Sequence, residues 1–290
     1  MSYNYPPLTL LENRENGLKR GILCPQFENR RKNSLTFALG TDENGDPVCP
    51  DLSRLPHLAV AGTTGSGKSV LLYSMLVSFF YAYSPDELKL QIVVPEYKAY
   101  AFKAFENIPY RWSYLASNGK DVEEVLIQAV TEMERRYSLF SEAIKSGIFA
   151  KNIAEYNEAF PDSPLPRIVL VIDEFNEFDR DLRKTMERYI IRLVQKSRAC
   201  GIHLVILSES AKSDNITGVM LANLPARACL KVESRYDSQR MVLMSGAESI
   251  TTAGECYFYS PEQIQASKVK CYFVTYDEVT AVCNYLRENI

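Results

Sequence analysis

Residues 62–69 read Gly-Thr-Thr-Gly-Ser-Gly-Lys-Ser, and few runs of eight residues restrict a fold so tightly. Every fixed position of the pattern G-x-x-x-x-G-K-[ST] is met. Glycines let successive backbone N–H groups turn inward around phosphate oxygens, and a helix starting at the end of the loop offers its N-terminal dipole to the same anion. Gly62, Thr63, Thr64, Gly65, Ser66 and Gly67 form the cradle. Lys68 is placed for the β- and γ-phosphates of ATP, and the Ser69 hydroxyl for Mg2+. The flanks are those such a loop requires. An apolar run, Leu58–Ala61, precedes it, and Leu71, Leu72, Met75 and Leu76 follow at helical spacing.

A phosphate loop works with an acid at the end of a neighbouring strand. Residues 167–172, RIVLVI, are the strongest buried-strand signal in the chain, and Asp173 and Glu174 follow directly. Asp173 is placed to hold Mg2+ through water, and Glu174 to polarise an attacking water. Two acids opening the next helix would be the plainer explanation. The second carboxylate argues for hydrolysis rather than binding alone.

Further apolar runs at 88–94 and 203–207 alternate with helical stretches at 121–144 and 181–200, the latter stopped at Gly201. Residues 35–39 alternate as a strand, followed by a turn at 42–46. Continuous apolar strands between helices predict an α/β fold of the RecA-like P-loop NTPase kind, with a mainly parallel sheet and helices on both faces. No linker divides residues 34–290, which read as one domain. Residues 1–33, with Pro6-Pro7 and the basic run 29–33, read as an N-terminal arm.

Composition removes several alternatives. A net charge of −3 carries no overall basic field, which argues against a passive nucleic-acid-binding module but not against a ring whose pore alone is basic. No run of about 18 apolar residues spans a membrane, and the N-terminus has no secretory pattern. Seven scattered cysteines without a C-x-x-C pair read as reduced cytosolic thiols rather than a zinc site. His57 and His203 read as packing residues, since no nucleophile or metal set accompanies them.

Several blocks together resemble one family, the FtsK/SpoIIIE-type DNA translocases and their relatives in conjugation. They are residues 45–69, EMERRY at 132–137, NIAEYN at 152–157, PLPRIVLVIDEF at 164–175, QKSRACGIHLVI at 195–206, ITGVMLANLPAR at 216–227 and SGAES at 245–249. The resemblance implies an ATP-driven motor that forms a homo-oligomeric ring, a hexamer, around double-stranded DNA and grips phosphates without sequence preference. It implies that Arg198, in the segment RACG, is an arginine finger acting on the neighbouring subunit's nucleotide. DNA-contacting loops are expected at 212–215 and around Arg235. The chain resembles a stripped motor, either a short relative on a mobile element or a fragment, expected to be cytoplasmic and brought to a membrane, if at all, by partners.

Three motifs depart from the family pattern. Val94-Pro95-Glu96-Tyr97-Lys98 replaces the usual Asp-Pro-Lys. Ser208-Glu209-Ser210-Ala211 replaces Thr-Gln-Arg-Pro, which sets a carboxylate where a γ-phosphate-sensing Gln is usual. Asp237-Ser238-Gln239 replaces Asp-Ser-Arg, with Arg240 one place on. Two other functions therefore stay open: a protein-secretion ATPase of the same family, and a nucleotide-binding regulatory subunit with weak hydrolysis.

Overall fold

Alternation along three central strands decides which element covers which face of the sheet. In the computed structural model, which describes residues 3–31, 33–212 and 216–289, β3 is Leu58–Ala61, β5 is Arg167–Ile172 and β6 is Ile202–Ser208. Leu58, Val60, Val169, Val171, Val205 and Leu207 enter one apolar cluster. Their neighbours Ala59, Ala61, Leu170, Ile172, Leu204 and Ile206 enter a second. Successive side chains of a strand point to opposite faces, so the two clusters are the two sides of one sheet.

The other strands are β1 (Gly40–Asp42), β2 (Pro47–Val48), β4 (Leu88–Val93), β7 (Ala226–Cys229), β8 (Glu255–Tyr259) and β9 (Ser267–Cys271). The sheet order is β2-β1-β9-β8-β7-β3-β6-β5-β4. From β7 to β4 every pairing is parallel, as the apolar runs predicted. From β7 to β2 every pairing is antiparallel. The fold is α/β, and its sheet is mixed rather than mainly parallel.

Helices cover both faces. The first carries α1 (Leu18–Ile22), α2 (Pro25–Glu28), α3 (Lys68–Phe80) and, at the other end of the chain, α9 (Tyr276–Glu288). The second carries α4 (Gly119–Lys145), α5 (Ile153–Ala159), α6 (Arg180–Lys196), α7 (Gly218–Ala222) and α8 (Arg235–Val242). In α4, Asn118 caps the first turn by accepting from the Asp121 amide, and Val122, Val125, Leu126, Ala129 and Met133 form the buried stripe. Among the described residues no helix is long and apolar enough to cross a membrane.

Three local expectations change. Residues 35–39 make no strand, although Thr36 bridges to Asp51. All five are buried, and the amides of Thr36 and Ala38 go to the Tyr83 hydroxyl (2.6 Å) and Ser78 Oγ (3.2 Å) instead of a ladder. The helix predicted to reach residue 200 ends at Lys196, and turns lead to Gly201, whose φ of +71° suits glycine. The leading segment is set apart in composition but not in packing. Leu11, Leu18, Ile22 and Phe27 are buried in the same cluster as α3 and α9. Glu278 of α9 holds the segment down, accepting from the Glu12 amide (2.7 Å) and from Arg14 (2.8 Å).

Candidate nucleotide site

The phosphate loop leaves the C-terminal end of β3 and enters α3 at Lys68. Gly67 must be glycine on two counts. Its φ is +105°, and a Cβ there would lie 2.9 Å from the Gly254 nitrogen. That close approach comes from the antiparallel half of the sheet, where the Gly254 amide donates to the Ser66 carbonyl at 2.9 Å. The Thr63 amide donates to the Lys231 carbonyl at 2.7 Å. The stretch leading into β8 thus clasps the loop, and a cavity of about 240 Å³ opens between Thr63–Ser66, Lys231 and residues 251–253.

Behind the loop four charged groups meet. Lys68 is buried, and its ammonium donates to the Gly62 carbonyl at 2.6 Å and lies 3.5 Å from Glu174 Oε1. Asp173, fully buried at the end of β5, pairs with Lys98 at 2.8 Å, and Glu174 Oε1 receives the same ammonium at 3.0 Å. Glu174 sits in the left-handed region, φ 48° and ψ 51°, which turns its side chain back towards the loop. Its second oxygen, Oε2, is buried and has no hydrogen-bond partner among the described residues.

Burial pushes the Asp173 carboxyl above its ordinary value, although Lys98 pulls it down. Burial alone would lower the Lys98 ammonium, but Asp173 and Glu174 outweigh it and hold Lys98 above its ordinary value. Two lysines against two carboxylates make the cluster formally neutral. It is the donor set that a Mg2+-bound triphosphate needs. Lys68 and Lys98 can face phosphate oxygens, and Ser69 and Asp173 can hold the metal. A Cβ at Gly62 would lie 2.6 Å from Ser66 Oγ, and one at Gly67 would lie 2.9 Å from the Gly254 nitrogen, so neither position of the loop tolerates a side chain. The residues fit the ligand.

Lys98 and Asn176 went unassigned in the sequence. Lys98 stands where the family's Asp-Pro-Lys motif is altered, three residues after Pro95, and a 3₁₀ stretch, Glu96–Phe105, swings it onto Asp173. Asn176 Oδ1 accepts from Ser208 Oγ (3.0 Å) and from the Glu209 amide (3.1 Å), tying the end of β6 to the turn after β5. No pattern marked it. Glu209 lies against the loop as expected, with its carboxylate accepting from the Thr64 hydroxyl.

Arg198 is not part of this cluster. It is exposed in the turn after α6, just before β6 begins, whereas Glu209 follows the other end of that strand. The length of β6 separates those ends by roughly 20 Å. Arg235 is exposed at the start of α8, where its Nε donates to Ser245 Oγ at 2.8 Å. Arg240 donates to the Ile216 carbonyl at 2.5 Å. Residues 213–215 of the other predicted DNA loop, and Lys32 of the basic run, lie outside the described residues. Burial pushes His57 down to about 3 and His203 well below its usual value, so both are neutral packing groups.

The FtsK/SpoIIIE family model matches residues 20–213. This chain belongs to the FtsK/SpoIIIE family. It is 38% identical over 275 residues to the DNA translocase FtsK of Clostridium tetani, covering 93% of this chain and 36% of that protein. With the DNA translocase FtsK of Caldanaerobacter subterraneus it shares 40% identity over 261 residues, 89% of this chain and 35% of the other. The chain thus spans about a third of the length of these curated relatives. Among solved structures, the pCW3 conjugation coupling protein TcpA, determined with ATPγS, superposes with a TM-score of 0.70 at 24% identity, over 86% of this chain and 68% of that one. The type VII secretion ATPase EccC of Thermomonospora curvata gives 0.74 at 20% identity, over 96% and 32%. These two likenesses concern the fold.

Proposed function

We propose that this FtsK/SpoIIIE-family chain is an ATPase motor that moves double-stranded DNA, working as a homo-oligomeric ring, a hexamer. The motor is assigned to residues 34–290, with 1–33 as an arm docked on it. The observation that carries the reading is the cluster of Lys68, Lys98, Asp173 and Glu174 behind a phosphate loop, in a chain up to 40% identical to proteins named DNA translocases.

Within the loop Gly62–Ser69, the amides of Thr64, Gly65 and Gly67 turn to the phosphates while those of Gly62, Thr63 and Ser66 hold the loop's shape, and Lys68 exchanges the Gly62 carbonyl for a phosphate oxygen. Ser69 and Asp173 would hold Mg2+, which would supply positive charge against the phosphate oxygens. Glu174 orients the attacking water and accepts its proton, a role that suits the unpartnered Oε2. Arg198, at the far end of β6 from its own loop, serves the neighbouring subunit's nucleotide. Residues 212–215 and the region of Arg235 grip DNA phosphates without reading sequence. The motor works in the cytoplasm, with any membrane attachment supplied by partners. The secretion reading has only the fold likeness to EccC behind it.

A second reading has its own observation. Thr64 is engaged by Glu209, and a carboxylate beside the γ-phosphate disfavours ATP, as expected of a regulatory subunit with weak hydrolysis. One experiment separates the two: ATP hydrolysis with and without long double-stranded DNA, on the wild type, Lys68→Ala and Glu209→Gln. The motor reading expects DNA to stimulate turnover on the order of tenfold or more, abolished in Lys68→Ala. ATP binding with no DNA-dependent turnover in the wild type, and turnover appearing in Glu209→Gln, would establish the regulatory reading instead.

A further inference from the structure

Two pairs of cysteines bring their sulfurs to 3.6 Å, and their surroundings differ. Cys256 and Cys271 lie on adjacent strands β8 and β9, within the sheet's buried side. Cys24 precedes α2, and Cys49 follows β2, so this pair joins the docked leading segment to the β1–β2 hairpin. Cys24 also lines a cavity of about 610 Å³ together with Arg14, Lys19, Arg20, Pro47 and Tyr272. Tyr272 is buried, and its hydroxyl has no hydrogen-bond partner among the described residues. Three cations, Arg14, Lys19 and Arg20, line the cavity against one acid, Glu15, and a surplus of positive charge favours a thiolate.

We propose that Cys24 and Cys49 are a peroxide-responsive thiol pair, in which Cys24 is the attacking sulfur and Cys49 resolves it to a disulfide. The Cys24 thiolate attacks a hydroperoxide; the O–O bond breaks, an S–O bond forms, and the departing hydroxide or alkoxide takes up the proton that Cys24 released, leaving as water or alcohol. Cys49 then attacks the sulfenic sulfur. The S–S bond forms, the S–O bond breaks, and hydroxide leaves with the Cys49 proton as a second water. Two thiols lose two electrons to one peroxide. The product staples α2 to the hairpin across 24 residues of chain and fixes the leading segment where Glu278 already holds it.

The direction of attack follows from position: Cys24 lines the cavity, and Cys49 is not among its lining residues. In keeping with that, the bond to Cys49 outweighs burial and, with the amides of Phe27 and Gln26, holds Cys24 below the ordinary thiol value, while the bond to Cys24 and burial hold Cys49 above it. Cys256 is held well above by its bond to Cys271 and by burial, so the second pair lacks an accessible thiolate.

The test treats the full chain with equimolar hydrogen peroxide, alkylates the remaining thiols and maps peptides without reduction. The expected result is one linked peptide pair, Cys24–Cys49, lighter by two hydrogens and opened by dithiothreitol. Cys49→Ser should instead accumulate a sulfenic acid at Cys24, trapped by dimedone. In the untreated wild type, iodoacetamide at neutral pH should label Cys24, 6% exposed beside its cavity, on the order of tenfold faster than the wholly enclosed Cys283. Linkage of Cys256 to Cys271 in its place, or seven thiols still free after peroxide, would overturn the proposal. These readouts need no ATPase activity, so they stand or fall apart from the motor reading.

Discussion

Lys98 carries more of the site than its place in the chain suggests. It is the closest cation to both Asp173 and Glu174, two carboxylates buried side by side. Removing one partner of a buried pair costs about 3 kcal/mol or more, because the other charge is left uncompensated. Lys98→Ala should therefore lower stability by about that amount at neutral pH. The sign with pH follows from Asp173, already held above its ordinary value by burial and raised further once Lys98 is gone. A carboxyl with a raised folded-state pKa favours the folded state at pH below its unfolded value and loses that advantage as pH rises. The variant's deficit should accordingly shrink towards acid pH, as urea unfolding at pH 7 and pH 5 would reveal; an equal deficit at both would mean that lost packing, not charge, is responsible. The loop and Asp173-Glu174 were legible because their chemistry is written in consecutive residues. Lys98 and Asn176 were not, since each becomes functional only when a turn swings it across to another strand.

At the scale of elements, sequence patterning gave β3, β5 and β6 because strands covered on both faces are continuous apolar runs. It missed the antiparallel half for the opposite reason. β8, ECYFY, alternates between buried and half-buried positions, and β9, SKVKC, is half polar. The docking of the leading segment is hidden for a similar cause: its buried residues are few, and its anchor, Glu278, lies at the other end of the chain. Burial alone would raise the Glu278 carboxyl, but bonds from Thr275, the Glu12 amide and Arg14 outweigh it and hold it below its ordinary value. A depressed carboxyl contributes stability above its unfolded pKa, about 4.3, and loses it as pH falls through the lower folded value. Glu278→Gln should thus cost about 2 kcal/mol at pH 7, from hydrogen bonds made to a charged acceptor. The cost should fade below pH 4 or so. Hydrogen exchange would locate it, with amides of residues 11–18 losing protection first. Protection lost only within α9 would mean that the capping box at Thr275, rather than the anchoring of the leading segment, is what Glu278 supports.

For the whole molecule, the parallel sheet separates two jobs by its polarity. The loop, Asp173 and Glu209 lie at the C-terminal ends of β3, β5 and β6, whereas Arg198 lies before β6 begins. One subunit cannot bring Arg198 to its own phosphates without breaking that sheet, so any role in hydrolysis requires a second copy. Head-to-tail contact of the two ends is a heterologous interface, which closes into a ring when the rotation allows. The argument yields a test by mixing inactive variants. On the proposed reading, Lys68→Ala would disable a subunit's own site but leave its Arg198, whereas Arg198→Ala would leave the site and remove the finger. Each alone should bind neighbours and turn over ATP about 10³-fold or more below wild type. In random mixed rings, roughly one interface in four joins an intact site to an intact Arg198, so equal mixtures should recover activity that neither parent has. Recovery should require subunit exchange before DNA is added, and should vanish in the double variant mixed with either parent. If the mixture stays inactive although native mass spectrometry detects mixed rings, Arg198 does not act across the interface. Its place at the far end of β6 would then have to be explained by contact with DNA or by assembly.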